Sequence, residues 1–363
     1  MSERKSYEKF TSNYAHEDPR YAGKMANEIT ERIVPFQESD LGKRAVMPEG
    51  NWKLPPEVSF EEYKEILEPV FWLEKVDDGI IIARAHTGDG GLIWGTTAHA
   101  YVHMLFQYVG QDRDAEILIF GSSGNNFFEG LGPNPYYSKL DEFVPMSEFD
   151  NKFSWQLFDH QYYDGTHDIE AEVWSCGIPT IGIWHGGSFH SDLFLLTDIT
   201  LATEDAWTKE QHFCLNMFPG DGVQVAWRAL MGRKRFAYAE LTGQIITARM
   251  ALEWGMINEI LPDLESAYDR ALEIARLIVR SATRQTRRLT TQILRKPWKE
   301  DYANELHLSF ATEMYNTLAE GSPHDQLYWE TAKSEAAAVL AAEKKGMVIK
   351  PRIGAYIEEF PIK

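Results

Sequence analysis

The chain has 363 residues, with 55 acidic against 36 basic side chains and a net charge of −19. That balance excludes a phosphate-tracking nucleic-acid binder, which needs clustered Lys and Arg, and it disfavours an anionic membrane surface. A hydrophobic fraction of 44% supplies a sizeable core, no stretch approaches the ~20 apolar residues of a membrane span, and the first residues carry no apolar signal core, so a cytoplasmic protein is expected.

Residues 1–56 are polar, weakly periodic and closed by Pro55-Pro56. They read as an extension that wraps the surface or an adjacent subunit. A short helix is expected over Phe60–Leu67. Phe71–Lys75 and Gly79–Ala85 then read as paired strands around the Asp77-Asp78-Gly79 turn. Thr96–Tyr108 has helical spacing, and Ala115–Gly121 reads as a buried strand ending in a Gly-Ser-Ser-Gly loop. Residues 131–165, rich in Pro, Tyr, Asp and Phe, read as an irregular excursion or lid.

Ile178–Trp184 is the next expected strand, running through His185-Gly186-Gly187-Ser188-Phe189-His190 into a helix over Asp192–Leu196. Asp198–Ala202 is another strand. From Val223 onward the pattern is helical, interrupted by a short strand at Ile257–Leu261 and ending in a long helical tail over Thr286–Lys345. Strands that alternate with helices imply an α/β fold with buried parallel strands. The two cysteines, Cys176 and Cys214, define neither a disulfide framework nor a metal-ligand spacing. The basic run Arg280–Lys296 reads as one face of a helix.

One segment carries chemistry. Glu210-Gln211-His212-Phe213 stands shortly before Phe218-Pro219-Gly220-Asp221-Gly222. An imidazole held by a carboxylate is a general base for water near neutral pH, and a Gly-Asp-Gly turn presents a carboxylate without steric obstruction. On spacing alone, a core histidine capped by a turn aspartate reads the same way.

The order of these elements, together with Leu241-Thr242-Gly243-Gln244 and the stretch Ala248–Pro262, resembles the crotonase (enoyl-CoA hydratase) superfamily over about residues 60–320. The resemblance implies a crotonase-like ββα spiral core over 57–285, a C-terminal helical oligomerisation region over 286–363, and a homo-trimer or hexamer. His86-Thr87, Leu92–His99 and His212-Phe213 with Pro219–Gly222 look like the cyclic β-diketone hydrolases of that superfamily. Those enzymes hydrolyse a carbon–carbon bond, a retro-Claisen reaction.

The resemblance also implies roles. The two glutamates of ordinary hydratases fall here on Asp192 and His212, so a histidine replaces the second. His212 would activate water, held by Asp221. Trp94 and His190 would hold the developing oxyanion, and His190, or Glu313 through it as the carboxylate that orients it, would return a proton to carbon. His99 and Asp192 would line the substrate site, while His86 and His185 would be structural. No metal or organic cofactor is implied, because the second carbonyl is the electron sink. The expected partner is a small cyclic diketone. Two alternatives stay open: a CoA-thioester hydratase or ring-opening hydrolase of an alicyclic acyl-CoA, for which Arg84 is the one candidate diphosphate contact near the early strands, and a non-catalytic scaffold.

Overall fold

The computed structural model describes residues 58–76, 79–131, 155–320 and 326–348. The expectations for residues 1–56 and for most of the 131–165 excursion lie outside them. The chain from Pro56 onward forms one compact unit. Its strands are β1 (Phe71–Val76), β2 (Ile80–Ala85), β3 (Leu92–Trp94), β4 (Ile117–Ser122), β5 (Phe128–Leu131), β6 (Thr180–Trp184), β7 (Gly187–Ser188), β8 (Ile199–Thr203), β9 (Trp207–Thr208), β10 (Ile246–Thr247) and β11 (Glu259–Leu261).

Six of them form the main sheet in the order β1-β2-β4-β6-β8-β11. Only β1 runs antiparallel to its neighbour; the other pairings are parallel. The sequences Ile-Ile-Ile-Ala-Arg-Ala and Ile-Leu-Ile-Phe-Gly-Ser explain this choice. A parallel sheet is covered on both faces, so its strands are apolar at every position rather than at alternate ones. The pleat then sorts side chains by parity. Ile80, Ile82, Ile117, Ile119, Ile181 and Ile183 pack against Ala267, Tyr268, Ala271 and Ala275 of the helix Leu264–Ser281. Ile81, Ala83, Leu118 and Phe120 turn the other way, toward Val102, Leu105 and Phe106 of the helix Thr96–Gln111. Small residues on the covering helix let it approach the sheet closely.

The helix ends are written locally. Ser59 and Glu62 form a reciprocal capping box at the first helix, and Asp263 and Thr283 cap the helices that follow them, as side-chain oxygens do for otherwise orphaned backbone N–H groups. Residues 155–170 are helical and run into a π-helical turn at Ala171–Ser175, so this end of the expected excursion is regular. Its apolar positions sit at helical spacing, but the Tyr, Asp and Gly among them hide the period.

The expected long helical tail is helical over Arg284–Leu294, Lys296–Glu320 and Gln326–Glu343, with a break among the described residues between the first two. The break falls at Arg295, which is 1% exposed. Its Nε and Nη2 donate to the two carboxylate oxygens of Asp198 at 3.1 and 2.8 Å. The same guanidinium donates to the carbonyls of Glu172, Cys176 and Ile178. The planar fork of arginine suits such a site. Arg284 and Arg287 pair with Glu116, and Arg288 donates to the carbonyls of Asp112 and Ala115 at 3.3 and 3.0 Å. The basic run is therefore an internal fastening of the C-terminal helices to the start of the sheet.

The last helix backs the small sheet β10-β9-β7. Trp329 stacks on Trp207 with centroids 5.2 Å apart, and Lys209 Nζ donates to Glu335 at 2.7 Å. Among the described residues, no helix is long and apolar enough to cross a membrane.

Replacing Arg295 with Ala leaves Asp198, whose side chain is only 9% exposed, without its ion-pair partner and with Thr180 alone donating to it. The expected cost is about 3–5 kcal/mol of unfolding free energy, measured by chemical denaturation. A loss below about 1 kcal/mol would contradict the fastening role.

Candidate active site

Seven residues singled out by sequence, from Trp94 to Glu313, are all buried, and the fold brings them to one place. Trp94 ends β3, and His99 lies in the first turn of the following helix. Their rings meet edge to face at 4.3 Å. His190 follows β7, and its ring lies 4.5 Å from that of Trp94 and 6.3 Å from that of His212. His212 follows β9 and precedes the short 3-10 turn Phe213–Leu215.

The Pro-Gly-Asp-Gly turn is held from outside. Gly222 has φ +114, and a Cβ on Gly220 would lie 2.2 Å from the Ser309 carbonyl, so both positions require glycine. Ser309 Oγ donates to the Gly220 carbonyl at 2.8 Å and Tyr302 Oη to the Gly222 carbonyl at 2.9 Å. The turn is thus docked on the helix Lys296–Glu320, and that docking aims Asp221.

Asp221 Oδ2 lies 3.3 Å from His190 Nδ1 and 3.4 Å from His212 Nε2. One carboxylate oxygen therefore stands between two imidazoles. Asp192 Oδ1 is 3.6 Å from His190 Nδ1. The closest contact of His212 is instead on its other nitrogen: Nδ1 is 2.5 Å from Glu210 Oε1, which also accepts the His212 backbone N–H at 2.8 Å. Sequence reasoning gave the orienting role to Asp221. The structure puts Glu210 in the orienting position and Asp221 on the Nε2 side. A Glu two residues before a His was visible in the sequence, but spacing alone gave no reason to favour it.

Glu313 also differs from expectation. Its Oε1 is 3.7 Å from His212 Nε2, and its Oε2 accepts the Gly220 N–H at 3.1 Å. It stands beside His212 rather than orienting His190. His99 Nδ1 lies 2.8 Å from Asp168 Oδ2, a partner 69 residues away that no local signal marks. His86 meets the carbonyls of Glu68 and Gly88, and His185 that of Ser123, consistent with structural roles. Trp94 Nε1 is buried without a hydrogen-bond partner. A buried N–H left unpaired is costly and uncommon, so this donor is suited to a ligand oxygen.

The electrostatics follow from this crowding. Burial opposes charge on His212, but Asp221, Glu210 and Glu313 outweigh it and hold its pKa well above the ordinary histidine value. Burial likewise opposes charge on His190, while Asp221 and Asp192 raise it to about 9. Burial, opposed by His212 and reinforced by Asp221, pushes Glu313 up to about 8. His212, Asp221 and Glu313 bring one donor atom each within 4.8 Å of one another, a set that could hold a divalent cation.

Comparison with known proteins fits this geometry. Residues 155–332 match the enoyl-CoA hydratase/isomerase family. The chain is similar to a β-diketone hydrolase from the cyanobacterium Anabaena, solved with (S)-3-oxocyclohexyl acetic acid, at 25% identity over 71% of this chain and 97% of that one, with a TM-score of 0.63. An enoyl-CoA hydratase/isomerase from Mycobacterium paratuberculosis shares the fold at 18% identity over 73% of this chain and 97% of that one, with a TM-score of 0.60. The probable peroxisomal enoyl-CoA hydratase 1 of Arabidopsis thaliana is 23% identical over 178 residues, 48% of this chain, and the match spans 60% of that protein's length. The matched family and these structural neighbours lie in the crotonase superfamily, whose fold the chain shares. Within it, one solved structure to which it is similar is a β-diketone hydrolase.

Replacing Glu210 with Gln removes one of the three carboxylates that offset burial at His212. The titration midpoint of the His212 ring, followed by NMR, should fall toward or below the ordinary histidine value. An unchanged midpoint would show that Glu210 is not its partner.

Proposed function

We propose that this protein hydrolyses a carbon–carbon bond in a cyclic 1,3-diketone. The observation that carries this reading is the single Asp221 oxygen set between His190 and His212, beside the unpartnered Trp94 N–H. Such a site offers a water base and carbonyl-oxygen donors side by side.

Glu210 accepts the N–H of His212 Nδ1 and leaves Nε2 as the base. The contacts from Nε2 to Asp221 and Glu313, 3.4 and 3.7 Å, are longer than the roughly 3.2 Å limit of a good N–H···O bond. Nε2 takes a proton from water, and the hydroxide attacks one ring carbonyl. His190, kept protonated by Asp221 and Asp192, and Trp94 donate to the developing oxyanion. Indole N–H is a donor only, so it does not compete for protons. The tetrahedral adduct then expels the central carbon, whose electron pair is delocalised onto the second carbonyl as an enolate. Protonation of that carbon completes a ring-opened keto acid, and the scheme draws on no cofactor.

The alternative is an acyl-CoA substrate, which the names of the matched family and of the Arabidopsis relative favour. Against it, Arg84, the one cation nominated for a diphosphate, has its guanidinium stacked 3.8 Å over the Tyr268 ring. A homo-oligomer is proposed on the large apolar side chains exposed along the C-terminal helices, among them Ile293, Leu308 and Tyr315.

Two outcomes are expected with cyclic 1,3-diketones, followed by loss of the diketone ultraviolet absorbance. His212→Ala should lower kcat/KM by about 10²-fold or more; retention of over a tenth of the wild-type rate would count against the base. The pH profile should rise on the alkaline side of the ordinary histidine value, because the carboxylates must release the His212 proton before it acts as a base. It should fall again near 9, where His190 loses its proton. A profile already flat below neutrality would contradict these assignments.

A further inference from the structure

Asp221 Oδ2 is a buried carboxylate oxygen that no hydrogen bond reaches among the described residues, on a side chain only 4% exposed. It lies 3.4 Å from His212 Nε2. Glu313 Oε1 lies 3.7 Å from the same nitrogen, on a side chain 2% exposed. The other Glu313 oxygen accepts the Gly220 N–H, so Oε1 is the one turned toward His212. Two carboxylate oxygens, one from a turn and one from a helix, therefore converge on one imidazole nitrogen. Both contacts are longer than a good N–H···O bond.

We propose that His212 Nε2, Asp221 Oδ2 and Glu313 Oε1 bind one Zn2+ ion, and that the bound ion switches the site off. Zinc bonds to nitrogen and oxygen of about 2.0–2.2 Å set neighbouring ligands of a tetrahedral ion about 3.3–3.6 Å apart. The Asp221 contact has that spacing, and the Glu313 contact lies just beyond it. The three side chains bring one donor atom each within 4.8 Å of one another. Their surroundings are those of metal ligands. A ligating imidazole commonly donates its other N–H to a carboxylate, and a ligating carboxylate is itself hydrogen-bonded. Glu210 stands on Nδ1 of His212, and the Gly220 N–H on Glu313. One imidazole with two carboxylates suits zinc better than Ca2+ or Mg2+, which take six or more oxygen ligands.

The charge balance also favours a cation. Glu210, Asp221 and Glu313 all face the His212 ring, an excess of negative charge in a buried place. His190 faces the same Asp221 oxygen and, when protonated, opposes the ion, but Asp192 lies 3.6 Å from that His190 nitrogen and offsets it. Three protein ligands leave a fourth position for water or a substrate oxygen. The ion occupies the Nε2 lone pair that the diketone scheme uses to take a proton from water, so bound zinc and the base exclude each other. Zinc binding stands apart from the diketone reading; only the loss of diketone turnover rests on it.

The test has two arms. In the first, full-length protein stripped with a chelator is titrated with Zn2+ by calorimetry and with Co2+ by visible absorption. Wild type should bind one equivalent, and Co2+ should develop the intense absorption of a four-coordinate ion. Asp221→Asn and Glu313→Gln keep the side-chain shape and remove the charge; each, checked for folding by circular dichroism, should weaken binding at least about tenfold. Cys214→Ser removes a thiol outside the set and should leave binding unchanged. No stoichiometric binding by wild type overturns the proposal, and so does wild-type affinity in both carboxylate variants. In the second arm, Zn2+ is added to wild type turning over a cyclic 1,3-diketone. The rate should fall to half near the zinc Kd and recover with chelator. An undiminished or raised rate at saturating Zn2+ overturns the blockade. Stoichiometric zinc binding by a protein that turns over no diketone supports the metal site and counts against the diketone reading alone.

Discussion

Everything at the centre of this molecule depends on one carboxylate oxygen shared by two imidazoles. Asp221 Oδ2 can meet both His190 and His212 only because its turn is too tight for any residue but glycine on either side and is pinned to the helix Lys296–Glu320. That helix begins one residue after Arg295, whose guanidinium holds Asp198 at the entry to β8. The position of the Asp221 carboxylate is thus set by a chain of buried polar contacts that starts at the main sheet.

The shared oxygen also divides labour. With Glu210 on Nδ1 of His212, and Asp192 near the same Nδ1 of His190 that faces Asp221, each imidazole has its own carboxylate as well as the common one. Carboxylates close to a buried imidazole stabilise its charged form, and burial destabilises it. Where the carboxylates win, as at both histidines, the pair can differ in the pH at which each lets go of its proton. A site that must run a base and a donor side by side needs that difference.

Much of this was legible in the sequence. The buried strands were visible as unbroken apolar runs, the helices as three- and four-residue spacings, and the Gly-Asp-Gly turn as a demand for glycine. The seven site residues could be named because they lie in elements whose order resembles a known superfamily: Trp94, His190, His212 and Asp221 at strand ends and turns, His99, Asp192 and Glu313 in helices. What sequence did not show was pairing across distance. Asp168 is 69 residues from His99, and nothing local ties a helical aspartate to a ring that far away. The basic run Arg280–Lys296 read as a helix face because charge is usually solvated; only the fold reveals Glu116 and Asp198 waiting beneath it. Glu210 was passed over, and Glu313 set beside His190 rather than His212, for a related reason, since spacing says which residues are near along the chain and not which nitrogen of a ring they meet.

The most direct measurement is to incubate the full-length protein with a panel of cyclic 1,3-diketones in H2(18)O and weigh the products. The account predicts a ring-opened keto acid that carries one oxygen from water in its new carboxylate. Diketones left intact by folded protein, with water added instead across the double bond of an enoyl-CoA, would contradict it.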